Sequence, residues 1–196
     1  MWRGVWRQPM WRTVLGGAIL LALGTSVSAK SCRMKAPDLS VYGVKLVDAE
    51  SAAQKVGPGA KLEDDSDDLP HARFVSSNGV EELILFSHYG ADPDEYAEVE
   101  VRLAGEEALA LPALPTDSFV SEHGIALGMT PAEVEKRFGP CIKSRDDSGA
   151  SEVIQYEIAD ADRDEELKAY GYPSYYAEYE FERGKLIRYR FGFEYP

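Results

Sequence analysis

The stretch Gly124-Ile-Ala-Leu-Gly-Met-Thr-Pro-Ala-Glu-Val-Glu-Lys-Arg-Phe-Gly-Pro140 carries the start, the buried side and the end of one short helix. Thr130 suits the N-cap position, and the proline after it suits the first helical position. Glu133 completes a capping box, and Val134 and Phe138 lie one turn apart on one apolar side. The closing Gly-Pro pair ends the helix. The stretch therefore predicts a helix that packs against another element of the fold.

A weaker copy of this stretch lies at residues 43–58. Asp48 stands in the N-cap position of that copy, 82 positions before Thr130, and predicts a helix over residues 49–56. Downstream, residues 96–101 and 176–181 match at a spacing of 80. Both alternate with the period of a half-buried strand. Two ordered matches at nearly one spacing indicate a tandem repeat.

The predicted fold class is α+β: two tandem repeats, each a short helical segment packed on an antiparallel β-sheet of about four strands. The first repeat spans residues 30–111 and the second spans residues 117–196, with a proline-stiffened linker at residues 112–116. The expected strands lie near residues 72–76, 80–87, 96–103 and 107–111 in the first repeat, and near residues 141–144, 152–159, 175–182 and 185–195 in the second.

The last two predicted strands form a hairpin through Gly184. One face of this hairpin is apolar and aromatic, and we expect it to pack on the helix. Its residues are Tyr175, Ala177, Tyr179, Phe181, Ile187, Tyr189, Phe191 and Phe193. The other face is polar, and we expect it to be solvated, with acids paired to arginines across the strands. Its residues are Tyr176, Glu178, Glu180, Glu182, Arg188 and Arg190.

Residues 1–29 have the pattern of a cleavable signal peptide, with a retained N-terminal anchor as the alternative. Three arginines precede an apolar run at residues 14–23, and Ala29 ends a small-residue cleavage site. The apolar run is too short to cross a bilayer as a helix. Cys32 would permit a lipoprotein, but it follows lysine and serine where small apolar residues are needed. We expect a periplasmic or secreted protein, without stable membrane insertion after signal removal.

The chain is strongly acidic. Its net charge is −13, and removal of the signal with its three arginines takes the charge to −16. This charge argues against nucleic acid and anionic membranes as partners. It favours fast association with a basic protein partner, although the same charge would also keep a periplasmic protein soluble.

The sequence carries no grouping that is typical of catalysis or metal binding. The three histidines, His71, His88 and His123, lack the paired spacing of metal ligands. The Gly-x-Ser-x-Gly elbow, the His-Glu-x-x-His motif and a phosphate-binding glycine loop are absent from the sequence. We therefore predict a protein that is not an enzyme, with no catalytic residues, no metal site and no cofactor.

The helix motif at residues 124–140, its copy and the tyrosine-rich strands resemble the β-lactamase-inhibitor-protein-like superfamily. That group includes tandem secreted inhibitors and the small lipoproteins of outer-membrane barrel assembly (the SmpA/OmlA type). The resemblance covers nearly all of residues 41–195 and implies a helical segment on an antiparallel sheet in each unit. The tandem inhibitors usually carry a disulfide inside each unit, and the lipoproteins need a lipidated cysteine. This chain departs from both patterns, so neither activity transfers on the fold alone.

Two loops are the predicted contact sites. By the resemblance, the first lies in a place comparable to the inhibitor loop that enters the target's active site. Its residues are His88, Tyr89, Asp92 and Asp94. The second has the tyrosine, glycine and proline composition of binding surfaces, unless its rings fold back onto the sheet edge. Its residues are Tyr170, Tyr172, Tyr175 and Tyr176.

These observations predict an exported, non-enzymatic protein-binding module. We expect it to act as an inhibitor or immunity-type protein for a basic envelope hydrolase. The alternative is a structural or assembly factor of the bacterial cell envelope, like the lipoprotein relatives.

Cys32 and Cys141 are the only cysteines, and both lie in the predicted exported part of the chain. In an oxidising compartment two such thiols pair, and the bond would have a structural role. Mass spectrometry of the unreduced exported protein is therefore expected to show no free thiol. Two alkylatable cysteines would contradict the predicted disulfide.

Overall fold

The structure is a computed structural model that describes residues 33–64 and 69–194. The predicted signal peptide and Cys32 lie outside the described residues. The elements of the described part are, in chain order, β1 (Ser40–Val41), β2 (Val44–Lys45), α1 (Ala49–Val56), β3 (His71–Ser76), β4 (Glu81–Phe86), β5 (Glu98–Leu103), β6 (Ala113–Leu114), α2 (Pro131–Phe138), β7 (Ser144–Asp147), β8 (Ser151–Ile158), β9 (Tyr175–Glu182) and β10 (Lys185–Phe193).

Both predicted helices form where their capping residues stand. Helix α2 begins after Thr130, whose backbone N–H and hydroxyl both donate to the Glu133 carboxylate at 2.8 Å. Helix α1 begins after Asp48, which accepts a hydrogen bond from the Ser51 backbone N–H at 3.0 Å. Their buried residues belong to the hydrophobic core. Within the described residues, neither these nor any other helix has the length and apolar character that a membrane span needs.

The predicted fold class is wrong: the described chain is mostly β and does not form two repeats, each with its own four-stranded sheet. Eight strands form one sheet in the order β6-β3-β4-β5-β10-β9-β8-β7, and β1 and β2 form a separate hairpin. Within the large sheet, β6 pairs with β3 in parallel and the other neighbours are antiparallel.

The physical reason lies in strand β10, which has a partner on each of its edges. Tyr189 of β10 lies opposite Tyr179 of β9 on one side and opposite Val101 of β5 on the other. The predicted hairpin between β9 and β10 forms, but it leaves one edge of β10 with unpaired backbone groups. An unpaired edge is a template for another strand, and β5 of the first half occupies it. The two expected sheets are therefore a single one.

One face of the sheet holds the core, and three buried tyrosines connect it to the segments that cover it. Tyr156 donates its hydroxyl to the carbonyl of Gly139 after α2 at 3.0 Å, and Tyr189 donates to that of Phe119 at 3.0 Å. Tyr175 donates to the carbonyl of Asp38 at 2.8 Å. Each bond satisfies a buried hydroxyl and fixes a covering segment on the sheet.

Three local details also differ from the expectation. A strand is expected at residues 107–111, but residues 106–110 form a 3-10 helix, and the segment expected as a linker contains β6. The strand expected at residues 141–144 lies later, as β7. In β10 the register shifts between Leu186 and Arg188, which places Leu186 in the core where Ile187 was expected.

Candidate functional site

The two predicted contact loops meet at Glu98 in β5, on the sheet face opposite the core. His88 follows β4, and its Nε2 lies 3.3 Å from Oε1 of Glu98. Tyr172 comes shortly before β9 and packs edge-on against the His88 ring, with centroids 5.5 Å apart. His88 and Glu98 are both buried. The sheet thus brings together two segments that are more than 80 residues apart in the chain.

The second carboxylate oxygen of Glu98 accepts the remaining bonds of this cluster. The Tyr176 hydroxyl donates to Oε2, as do Nε and Nη2 of Arg190 at 3.0 and 2.7 Å. Nε of Arg190 also lies 2.9 Å from the Tyr176 hydroxyl oxygen. Glu98 therefore joins a strand of the first half to two strands of the second half.

Gly192 of β10 makes this contact possible. It lies between Glu98 and Tyr176 in the sheet, opposite both. A Cβ at position 192 would stand 2.7 Å from Cγ of Glu98 and 2.4 Å from the carbonyl oxygen of Ala97. Since no side chain occupies that space, the Glu98 carboxylate reaches across β10 to the Tyr176 hydroxyl.

The environment keeps Glu98 ionised. Burial acts to raise the pKa of Glu98, but the bond to His88, the charge of Arg190 and the Tyr176 hydroxyl outweigh it, so its pKa is lower than usual. Burial, and then the negative charge of Glu98, raises the pKa of Tyr176. The Tyr176 hydroxyl thus remains a donor. A carboxylate with a lowered pKa is a weak general base at neutral pH, so this arrangement suits recognition better than proton transfer.

Glu98 is one of three buried carboxylates that alternate with arginines across the face; we call this set the ion-pair lattice. It consists of Glu82, Glu98, Glu100, Arg73, Arg102, Arg188 and Arg190. Glu82 is fully buried and accepts from Nε of Arg73 at 2.5 Å and from Nε of Arg102 at 2.9 Å. Glu100 accepts from Nη1 of Arg188 at 3.1 Å. Adjacent ion pairs therefore share members from β3 to β10.

A groove of about 400 Å³ lies over the ion-pair lattice. Its walls are the four lattice arginines with His71 and Glu100, and Ile84 and Phe86 also line it. The guanidinium of Arg190 lies 4.0 Å from the centre of the Phe86 ring, within the range of a cation–π contact. The groove is thus lined mainly by guanidinium groups, and the Phe86 ring is nearly covered beneath one of them.

The other residues of the first predicted loop divide between solvent and a structural bond. Tyr89 is 61% exposed, and Asp92 is exposed as well. Asp94 instead turns back to the segment after α1, where its two carboxylate oxygens accept from the Gly59 backbone N–H at 3.0 and 2.9 Å. Tyr89 is the residue of this loop that presents a large apolar surface.

Most of the second tyrosine cluster folds back on the protein. Tyr170 and Tyr172 both pack on the Phe193 ring, each with centroids 4.9 Å apart. Tyr175 is fully buried in the core, as the strand alternation predicts. Tyr172 and Tyr176 are the members of the cluster that reach the site around Glu98.

The sequence did not identify Glu98 as the partner of Arg190, and it did not identify the other buried carboxylates. The hairpin pattern predicted pairs between acids and arginines, and Arg188 does contact Glu180 of β9 at 2.9 Å. Arg190, however, binds Glu98 of β5. A local signal existed, since Glu98 and Glu100 alternate with valines in β5. This alternation places both carboxylates on one face of β5, but it does not show that β10 is the neighbouring strand.

The described residues also include one group with metal-ligating chemistry, Asp38, Glu122 and His123, which lies apart from the Glu98 cluster. Cys141 is not a free thiol. Its predicted partner, Cys32, lies outside the described residues, so the disulfide stays a prediction.

Comparison of the chain with protein-family models, with curated proteins and with solved structures finds no match. The resemblance to the β-lactamase-inhibitor-protein-like superfamily therefore stays a prediction.

We predict that Glu98 makes the stability of the protein pH-dependent. The pKa of Glu98 is lower in the folded chain than its ordinary value of 4.5. Its ionised form therefore stabilises the fold above that value, and the stabilisation is lost as the pH falls through the folded pKa. Glu98→Gln should lower the free energy of unfolding by about 1.5–3 kcal/mol near neutral pH.

Urea unfolding across the acidic range measures this effect. The difference between wild type and Glu98→Gln should shrink as the pH falls below 4.5, the ordinary pKa of the carboxyl. Glu165→Gln, at an exposed position outside the lattice, is the control and should stay close to wild type. A difference between wild type and Glu98→Gln that is independent of pH would contradict the assignment.

Proposed function

We propose that this is an exported, non-enzymatic protein-binding module that acts as an inhibitor or immunity-type protein for a basic envelope hydrolase. The observation that carries the proposal is the ion-pair lattice on the sheet face that α1 and α2 leave uncovered. Its side chains are held in place by shared ion pairs before any partner arrives. A surface that is already ordered loses less conformational entropy on binding.

The composition of this face supports a protein partner. Arginine and tyrosine, with tryptophan, are enriched among the residues that dominate binding energy at protein interfaces. The groove over the lattice is lined by four arginines, and Tyr89 extends from the loop that ends at the Glu98 cluster. We infer that a side chain or backbone carbonyl of the partner enters the groove and accepts from the guanidiniums.

The charge of the face and of the whole chain supports a basic partner. The lattice arginines are partly covered by further carboxylates at the rim, of which Glu63 and Glu107 are 41% and 64% exposed at their side chains. Lysine and arginine residues of a partner would pair with these rim acids. The predicted mature charge of −16 would also speed the encounter at low salt.

We predict that the exported protein captures a partner from periplasmic extract at low salt and releases it at high salt. Arg102→Ala removes one guanidinium from the groove, while Glu82 keeps its bond to Arg73. This change should weaken the isolated complex by about tenfold or more, as expected for an interface anchor. Arg183→Ala, in the β9–β10 turn and 85% exposed at its side chain, is the matched control and should bind like wild type.

Three outcomes would count against the proposal. They are the absence of a salt-sensitive partner, equal binding by both arginine variants, and stable association of the protein with outer-membrane barrels. The last would favour the assembly-factor alternative. Thermal unfolding of both variants must be measured in parallel, so that a loss of folding is not counted as a loss of binding.

A further inference from the structure

A second site lies where the chain before β1 meets the turn before α2. Asp38 belongs to the first segment, and Glu122 and His123 belong to the second. Backbone bonds hold the segments together: the N–H of Glu122 donates to the carbonyl of Ser40 at 3.1 Å, and that of Tyr42 donates to the carbonyl of Val120 at 3.2 Å. The backbone therefore fixes the positions from which the three side chains extend.

These three side chains converge. One ligand atom from each of Asp38, Glu122 and His123 lies within 4.8 Å of the other two. Ligands bound to one tetrahedral zinc ion at about 2.1 Å are about 3.4 Å from each other. Small side-chain rotations would close the difference. Since Asp38 and His123 are 85 residues apart, the spacing of histidines along the sequence could not reveal this group.

Asp38 provides the observation that points to a ligand. It is fully buried, and its Oδ1 accepts from the backbone N–H of His123 at 2.9 Å and lies 3.0 Å from Nδ1 of the same residue. Its Oδ2 is buried and makes no hydrogen bond of normal geometry in the described part of the chain. Burial raises the pKa of this carboxyl, and the bonds from His123 and the Ser121 side chain oppose that rise without offsetting it. An Asp–His pair that merely fixes the turn explains Oδ1 but not Oδ2. A buried carboxylate oxygen needs a donor or a cation.

The donor set selects the kind of ion. One imidazole nitrogen and two carboxylates suit zinc or a similar first-row ion, whereas calcium takes six to eight oxygen ligands. The His123 side chain is 38% exposed, and it lines a cavity of about 450 Å³. That cavity gives solvent access to His123, whereas Asp38 and Glu122 are not among the residues that line it.

We propose that Asp38, Glu122 and His123 form a binding site for one zinc-type divalent cation. The cation joins the segment before β1 to the turn before α2 and so adds to the attachment of this cover to the sheet. Two cations of α2, Lys136 and Arg137, line the same cavity, and the side chain of Arg137 also approaches Gly124. Its guanidinium lowers the affinity of the site for a cation without occupying it. The site is independent of the proposed protein-binding face.

Calorimetric titration of the metal-stripped mature protein with zinc tests the proposal. We expect one bound ion per chain and a higher melting temperature. His123→Gln and Glu122→Gln should each lower the zinc affinity at least about 10- to 100-fold. Substitution of residues that only hydrogen-bond to a metal ligand already has an effect of that size. His123 is partly exposed and Glu122 is exposed, so both variants should fold. Asp38 is left unchanged because it is buried and its replacement could disturb folding.

Matched controls separate this site from the acidic surface. His71→Gln removes another histidine next to a carboxylate, since Nε2 of His71 lies 3.9 Å from Glu63, and it should bind zinc like wild type. Arg137→Ala should bind zinc more tightly, because it removes the opposing charge.

Several results would overturn the proposal. They are the absence of saturable zinc binding, equal affinities in wild type, His123→Gln and Glu122→Gln, and displacement of zinc by an equal concentration of calcium. None of these results would bear on the protein-binding face.

Discussion

The pairing of β5 with β10 holds the two halves of the described chain together. These two strands come from opposite halves of the chain and align Val99 with Phe191 and Val101 with Tyr189. On one face the pairing makes the apolar side chains of both halves one continuous core. On the other face it sets the carboxylates of β5 beside the arginines of β10. Without it, the core would be divided, and Glu98 and Glu100 would lack the arginines of β10 as partners.

The ion-pair lattice has an energetic logic of its own. Removing an ionised carboxylate from water costs several kcal/mol unless charge-assisted hydrogen bonds replace the lost hydration. Glu82 and Glu98 each receive such bonds from guanidinium groups. The lattice thus lets polar side chains pack closely on a sheet face that no α-helix of the described chain covers. The ion pairs make this face both ordered and polar. We assign these two properties to a binding surface.

The sequence predicts the local elements well, because capping and periodicity are local properties. Both helices, the β9–β10 hairpin and most strands lie where residue patterns place them. It does not predict that the strands form one sheet, because Val99 and Phe191 are far apart in the chain and no local pattern specifies that they pair. The repeat-like matches are real in the sequence, but each predicted unit leaves a strand edge that the other unit occupies.

The same distinction explains the sites. The family resemblance indicates His88 and loop composition indicates Tyr176, whereas the sequence pattern places Glu98 only in a strand. Its role follows from the tertiary approach that Gly192 permits. Asp38 and His123 meet for a similar reason, through contact between segments that their spacing does not reveal. Composition identifies residues that are able to bind, but the pairing of strands decides which of them meet.

Cross-strand nuclear Overhauser effects are the most direct test of the pairing between β5 and β10. Backbone protons of the two strands should show such effects at the pairs Val99 with Phe191 and Val101 with Tyr189. The β10 amides on the edge that faces β5 should exchange slowly. Contacts of β10 to β9 alone, with fast exchange along its other edge, would show two separate sheets and contradict the pairing.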